Sequence, residues 1–171
     1  MNIFVFGTLL SETFRKIVLG RELHSEHICT ASLKNFCVYW AECGPFPVIV
    51  PQNGAEVHGI VLKDLNEHDI ERLNYYELGF GYVLKEALVE TNDCLQNVFA
   101  YFCKSSDMAS KNLWSFDDWL TKHSEIQYLA TTEFMDFFGT KFGDTAQRMY
   151  NSILKRAEIY VKERSSVRKA I

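Results

Sequence analysis

Proline is scarce in this chain, and its three prolines (Pro45, Pro47 and Pro51) all fall in one short window. That excludes long proline-rich linkers and polyproline segments. No apolar run approaches the roughly 20 residues of a membrane-spanning helix, and the first residues lack the basic stretch and apolar core of a secretory leader. Positive charge is not in excess. The formal net charge is -4, which argues against nucleic acid as the main partner. The five cysteines (Cys29, Cys37, Cys43, Cys94 and Cys103) are odd in number and irregularly spaced, and no CxxC occurs. His24 and His27 lie near Cys29, but no second ligand pair with zinc spacing follows. The expectation is free, buried thiols in a reducing compartment, with no metal and no cofactor. It places the protein in the cytoplasm, away from membranes.

What is present is apolar and aromatic. Hydrophobic residues make up 47% of the 171 residues and aromatic ones 14%, including 13 Phe and 8 Tyr. This is the composition of a packed globular protein. A chain of this length buries about 70% of its unfolded surface, so it needs no disulfide or metal for stability.

The segment Ile3-Phe4-Val5-Phe6 reads as a short strand buried on both faces. Gly7 breaks it, Ser11 offers a hydroxyl cap, and Glu12 to Leu19 continues as a helix that Gly20 can close. A strand, a glycine and a helix start so close together leave backbone N–H groups bare at the mouth of a tight turn. Such a mouth suits a carboxylate or carbonyl oxygen. A strand-to-helix corner without ligand would carry the same pattern. Gly7-Thr8-Leu9-Leu10-Ser11 lacks the Gly-Lys-Ser/Thr of a phosphate loop, which argues against nucleotides.

Two strands follow, Ile28–Leu33 and Phe36–Trp40, with Lys34-Asn35 as the turn between them. The prolines then bracket a very short apolar strand, Val48-Ile49-Val50, which must lie at an edge or a bend. Gln52-Asn53-Gly54 signals a turn before a strand from Glu56 to Leu62. A helix runs from Asn66, as cap, to Leu78, with Gly79 to end it. Ile70, Leu73 and Glu77 share one face of it. Strands at Tyr82–Val89 and Val98–Cys103 complete the β pattern, and none is expected from Ser105 onward.

Beyond Lys104 the sequence turns helical. Ser115 caps one helix. Ile126, Leu129, Ala130, Phe134, Phe137 and Phe138 form an apolar stripe ending at Gly139, and Phe138-Gly139-Thr140 reads as a helix end. Ala146, Met149, Tyr150, Ile153, Ala157, Tyr160 and Val161 share the face of a last helix that begins near Asp144. The basic ending Arg164–Lys169 reads as frayed and solvated. The expected organisation is a domain over 1–104 and a helical extension over 105–171. Residues 115–161 carry too many aromatics to be left in water, so they should pack on that domain or on a second subunit.

Phe4-Val5-Phe6-Gly7-Thr8-Leu9, Phe46-Pro47-Val48-Ile49-Val50-Pro51, Val57-His58-Gly59, Leu73-Asn74-Tyr75-Tyr76-Glu77 and Gly81-Tyr82 follow one another in an order and spacing that resemble the γ-glutamylcyclotransferase-like (AIG2-like) family. The resemblance covers residues 1–104. It implies an α+β fold, a small mixed β-barrel with flanking helices, to which the C-terminal helical extension is added. It implies an enzyme in which the α-amine of a γ-glutamyl amide or peptide attacks its own γ-carbonyl and leaves pyroglutamate. Gly7, Thr8 and Leu9 would hold the glutamyl head, Phe6, Pro47 and Tyr82 would complete the binding site, and Glu77 would be the acid/base. The partner implied is a small γ-glutamyl substrate, and a homodimer is left open.

Three positions depart from the family pattern. Its tyrosine before the glycine is Phe6, its aspartate is Asn74, and its arginine after the tyrosine is Leu84, with Lys85 beside it. These departures keep open a non-catalytic protein on the same fold that binds a small molecule or another protein. The residues themselves also leave Glu77 open between two roles. A carboxylate in the last turn of a helix faces the negative end of the dipole, and aromatic neighbours would exclude water. Both raise its pKa toward that of a base at neutral pH. A solvated acid at the helix end fits the same sequence. Cys43 and His58 could be drawn as nucleophile and base, but with five of each residue type chance pairings are common.

Overall fold

A computed structural model describes residues 1–92, 94–140 and 143–169, without the side chains of 143, 144, 146, 147 and 167–169. The face assigned to Ala146 and the solvation of Arg168 and Lys169 lie outside those residues. Five strands close into a barrel: β1 (Ile3–Val5), β2 (Ile28–Ala41), β3 (Gly44–Leu62), β4 (Tyr82–Thr91) and β5 (Leu95–Cys103). They hydrogen-bond in the order β3-β1-β5-β4-β2, and β2 pairs with β3 to complete the ring. β1 is parallel to β5 and the other pairs are antiparallel, so the barrel is mixed. Around it lie α1 (Glu12–Leu19), α2 (Glu67–Leu78), α3 (Phe116–Lys122), α4 (Ser124–Met135) and α5 (Gly143–Lys169). This is the expected fold class: a small mixed barrel with flanking helices and a helical extension.

β1 has protein on both sides. Phe4 packs into the barrel with Val61, Val98 and Ala100, while Ile3 and Val5 face the helices. Gly59 is a glycine for a steric reason. A Cβ there would lie 2.4 Å from the Val5 carbonyl oxygen and 2.6 Å from the Phe4 ring. The Ser11 hydroxyl accepts from the Phe14 N–H to cap α1, and Gly20 ends it in the left-handed region. Asn66 and Asp69 form a reciprocal capping box on α2, and Asp69 also holds Arg21 through two hydrogen bonds of 2.8 and 2.6 Å.

Several local expectations are corrected. β2 is one continuous strand, and the Lys34-Asn35 turn is instead a bulge in its ladder with β3. Asn35 takes a φ of 63° there and its side-chain oxygen accepts from the Gly54 N–H at 3.0 Å. The Gln52-Asn53-Gly54 turn is the other half of that bulge, inside β3, so the proline-bracketed segment belongs to a 19-residue strand. Among the described residues that segment pairs with β2 alone, which suits its prolines. A sixth strand, β6 (Ala109–Leu113), does follow Ser105 and pairs with the outer side of β2. α2 reaches Gly79 in right-handed conformation, and it is Gly81 that takes a positive φ, of 84°. In α4, Gln127 and Thr131 are buried while Leu129 is exposed, and in α5 Tyr160 is exposed. The backbone of α5 stays helical to Lys169. The five cysteines are free, but Cys43 and Cys94 are exposed and the others only half-buried.

Candidate active site

The cavity lies where the rim of the barrel meets the helices. It encloses about 480 Å³. Its barrel side carries Phe6, Thr8, Leu9, Pro47, Tyr82 and Tyr101, and α2 contributes Tyr76 and Glu77. The far side comes from α5, with Arg148, Tyr150, Asn151 and Leu154.

The loop after β1 is a single tight turn, Gly7–Leu10, leading into α1. The first N–H groups of such a turn have no partner inside it. Gly7 has a φ of 69°, and a Cβ there would sit 2.3 Å from Pro47 Cγ. Glycine is thus required both by conformation and by the packing of the loop on β3. The loop's outward carbonyls are held from behind. The buried Arg15 guanidinium donates to Leu9 O at 3.0 Å and Leu10 O at 2.8 Å. Burial pulls the Arg15 pKa down from its ordinary value, with Glu12 opposing.

Glu77 enters from the last turn of α2, on the face that also buries Leu73. It is half-buried and lines the cavity. Burial raises its carboxyl to about 8. Among the described residues no donor hydrogen-bonds to its side chain, so nothing offsets the desolvation. Tyrosines surround it. Burial, with the charge of Glu77 adding to it, raises Tyr82 and Tyr101 above the ordinary phenol value. Each has its hydroxyl committed: Tyr82 donates to Pro47 O at 2.7 Å and Tyr101 to Asn74 Oδ1 at 2.8 Å. Asn74 therefore has a structural task, as acceptor for Tyr101.

The structure brings Glu77, Phe6, Thr8, Leu9, Pro47 and Tyr82 to one cavity, with Gly7 immediately behind, against Pro47. Cys43 lines the cavity too, but His58 does not; it is exposed on β3, so the thiol–imidazole pair is not assembled. Sequence reading missed Arg15, Tyr101, Arg148 and Asn151. It also missed the buried Gln127, which accepts from Trp119 Nε1 at 3.0 Å and donates to Pro45 O at 3.0 Å, fastening α3 and α4 to β3 beside the cavity. A polar residue inside an apolar helical stripe was the signal available for Gln127.

The chain matches the family "Gamma-glutamyl cyclotransferase, AIG2-like" over residues 3–121, and it belongs to that family. AIG2-like protein B of Arabidopsis thaliana is 28% identical over 138 residues, covering 79% of this chain and 78% of its own. AIG2-like protein A of the same plant is 28% identical, covering 72% and 74%. A solution structure from Arabidopsis thaliana superposes with a TM-score of 0.55 at 25% identity, over 82% of this chain and 93% of that one. No described helix is long and apolar enough to cross a membrane.

Proposed function

We propose that the protein is a γ-glutamyl cyclotransferase-type enzyme acting on a γ-glutamyl amide or peptide. The observation that carries this reading is the Glu77 carboxyl, enclosed among tyrosines beside the Gly7 loop with its pKa raised to about 8. A free α-ammonium group also titrates near 8, so proton transfer between the two is nearly balanced at neutral pH. A substrate ammonium entering beside Glu77 favours the ionised carboxylate, which then accepts an ammonium proton. The freed amine attacks the γ-carbonyl carbon. A lactam C–N bond forms, the C–N bond to the leaving nitrogen breaks, and that nitrogen collects the proton from Glu77. The second ammonium proton passes to the departing amine through solvent, which leaves pyroglutamate and an amine. Bare N–H groups at the Gly7 loop suit the glutamyl carboxylate or the developing oxyanion. The Tyr82–Pro47 hydrogen bond keeps β3 pressed against that loop.

The test is pyroglutamate release by the wild-type protein from a panel of γ-glutamyl amides and peptides. Release from at least one, dependent on enzyme concentration, is expected. The second reading, a non-catalytic binder on this fold, is favoured by Phe6, which brings no hydroxyl to the cavity. Saturable binding of γ-glutamyl compounds without release from any of them would establish it instead.

A further inference from the structure

The cavity has two unlike ends. At the barrel end are the loop, Glu77 and Tyr82. At the other, α5 presents Arg148 and Asn151, three residues apart and so on one helical face, both exposed at the mouth. Part of the cavity wall is aromatic, formed by Phe46, Phe80 and Tyr150. The Phe80 and Tyr150 rings are 4.8 Å apart, centre to centre, and Phe46 lies 6.4 Å from Phe80 and 6.5 Å from Tyr150. Among the described residues Arg148 has no carboxylate partner, although α5 makes ion pairs elsewhere, from Arg156 to Glu133 and from Arg164 to Glu125. Among the described residues, the carboxylate that lines the cavity is Glu77, from α2.

We infer that the α5 end of the cavity is the leaving-group subsite and that it selects γ-glutamyl amino acids with a large apolar or aromatic side chain and a free carboxylate. This rests on the cyclotransferase reading above. The Gly7 loop already supplies donors for the glutamyl head, which leaves the guanidinium of Arg148 and the amide of Asn151 for a second anion. The aromatic wall of Phe46, Phe80 and Tyr150 offers a large apolar or aromatic side chain a surface to pack on. A cationic leaving group, such as an amine with a second ammonium, would meet Arg148 and be disfavoured.

The test compares kcat/KM for γ-glutamyl-phenylalanine, its C-terminal amide and γ-glutamyl-alanine. The wild type should prefer the free acid over the amide by roughly tenfold, as a charge-assisted contact at an open mouth allows. It should also prefer phenylalanine over alanine by about tenfold or more. In Arg148→Gln the acid-to-amide ratio should fall to near one, and Arg148→Lys should restore part of it. A ratio within one variant is independent of how much of that variant is folded. Turnover of all three substrates without acid preference, or an Arg148→Gln protein that keeps the preference, overturns the inference and leaves the cyclotransferase reading standing. Release from none of a wider γ-glutamyl panel overturns both.

Discussion

The molecule has two apolar clusters, and they are built differently. The one inside the barrel is mainly aliphatic: Phe4 is surrounded by Ala31, Leu33, Ile49, Val57, Val61, Val89, Val98 and Ala100. The other, between barrel and helices, is rich in rings, with Phe14, Tyr76, Tyr82, Tyr101, Trp119, Phe134 and Tyr150. A five-stranded barrel has little interior, and β-branched and small side chains on alternating faces fill it. Helices crossing the outside of a barrel leave wider, irregular gaps that flat rings span. The cavity lies at the ring-rich side, and Glu77 sits in it. This half-buried carboxyl lies where the packing is aromatic and incomplete, and its raised pKa follows from that position. We propose that residues 105–171 fold with the barrel as one unit, because Trp119, Phe134 and Tyr150 share their cluster with Val5 and Phe14 of the N-terminal segment.

The largest effect should come from breaking the ring-rich cluster. Phe134 is fully buried and packs against Tyr75, Tyr76, Phe80 and Tyr150. Phe134→Ala should cost about 3–5 kcal/mol in urea unfolding. The transition should remain single, since the cluster joins α4 to α2 and α5. Two separate transitions would show that the extension is a domain of its own.

A second prediction concerns the stability cost of enclosing Glu77. Its folded pKa, about 8, lies above the usual carboxyl value. Between the two values the folded protein holds a proton that the unfolded chain has lost. Stability from this group is therefore fully present below about pH 4.5, falls as pH rises, and is lost by about pH 8. Glu77→Gln removes that loss, and each pKa unit is worth about 1.4 kcal/mol. The variant should gain up to a few kcal/mol over wild type at pH 8 and almost nothing at pH 4.5, read from urea midpoints at each pH. A gain independent of pH would place Glu77 in solvent.

The smallest effect sharpens the barrel side of the comparison. Gly7→Val must put a side chain at positive φ and against Pro47. It should cost about 1–3 kcal/mol. Calorimetry should also show lost affinity for glutamate or pyroglutamate, because the loop must move off β3. Unchanged binding in the folded variant would remove the loop from the site.

What could be read in the sequence was local. Ile3–Phe6, Gly7, Ser11 and Gly20 each act within one turn of their neighbours, so pattern and capping suffice to place them. Glu77 was visible as the continuation of a buried helical face. Gln127, Arg148 and Asn151 were not, since a partner or their cavity comes from distant parts of the chain, and Arg15, whose acceptors Leu9 O and Leu10 O are six and five residues away, read as an ordinary helix-surface cation. β6, Ala-Ser-Lys-Asn-Leu, left no strand signal because it pairs outside the barrel and needs no apolar face. The turns expected at Lys34-Asn35 and Gln52-Asn53-Gly54 used the right chemistry for the wrong purpose. Residues that tolerate positive φ can reverse a chain or, facing each other across a ladder, form a bulge.

The central claim is that Glu77 moves the proton. Its most direct test is steady-state pyroglutamate release by wild type and Glu77→Gln, each over a range of γ-glutamyl substrate concentrations up to saturation, from pH 6 to 9. The amide keeps the shape and can still accept a hydrogen bond, but it cannot take the ammonium proton. The wild-type kcat/KM should rise toward about pH 8, and the variant's kcat should be lower by about 10²–10⁴-fold with little change in KM. Equal kcat values for the two folded proteins would contradict that claim.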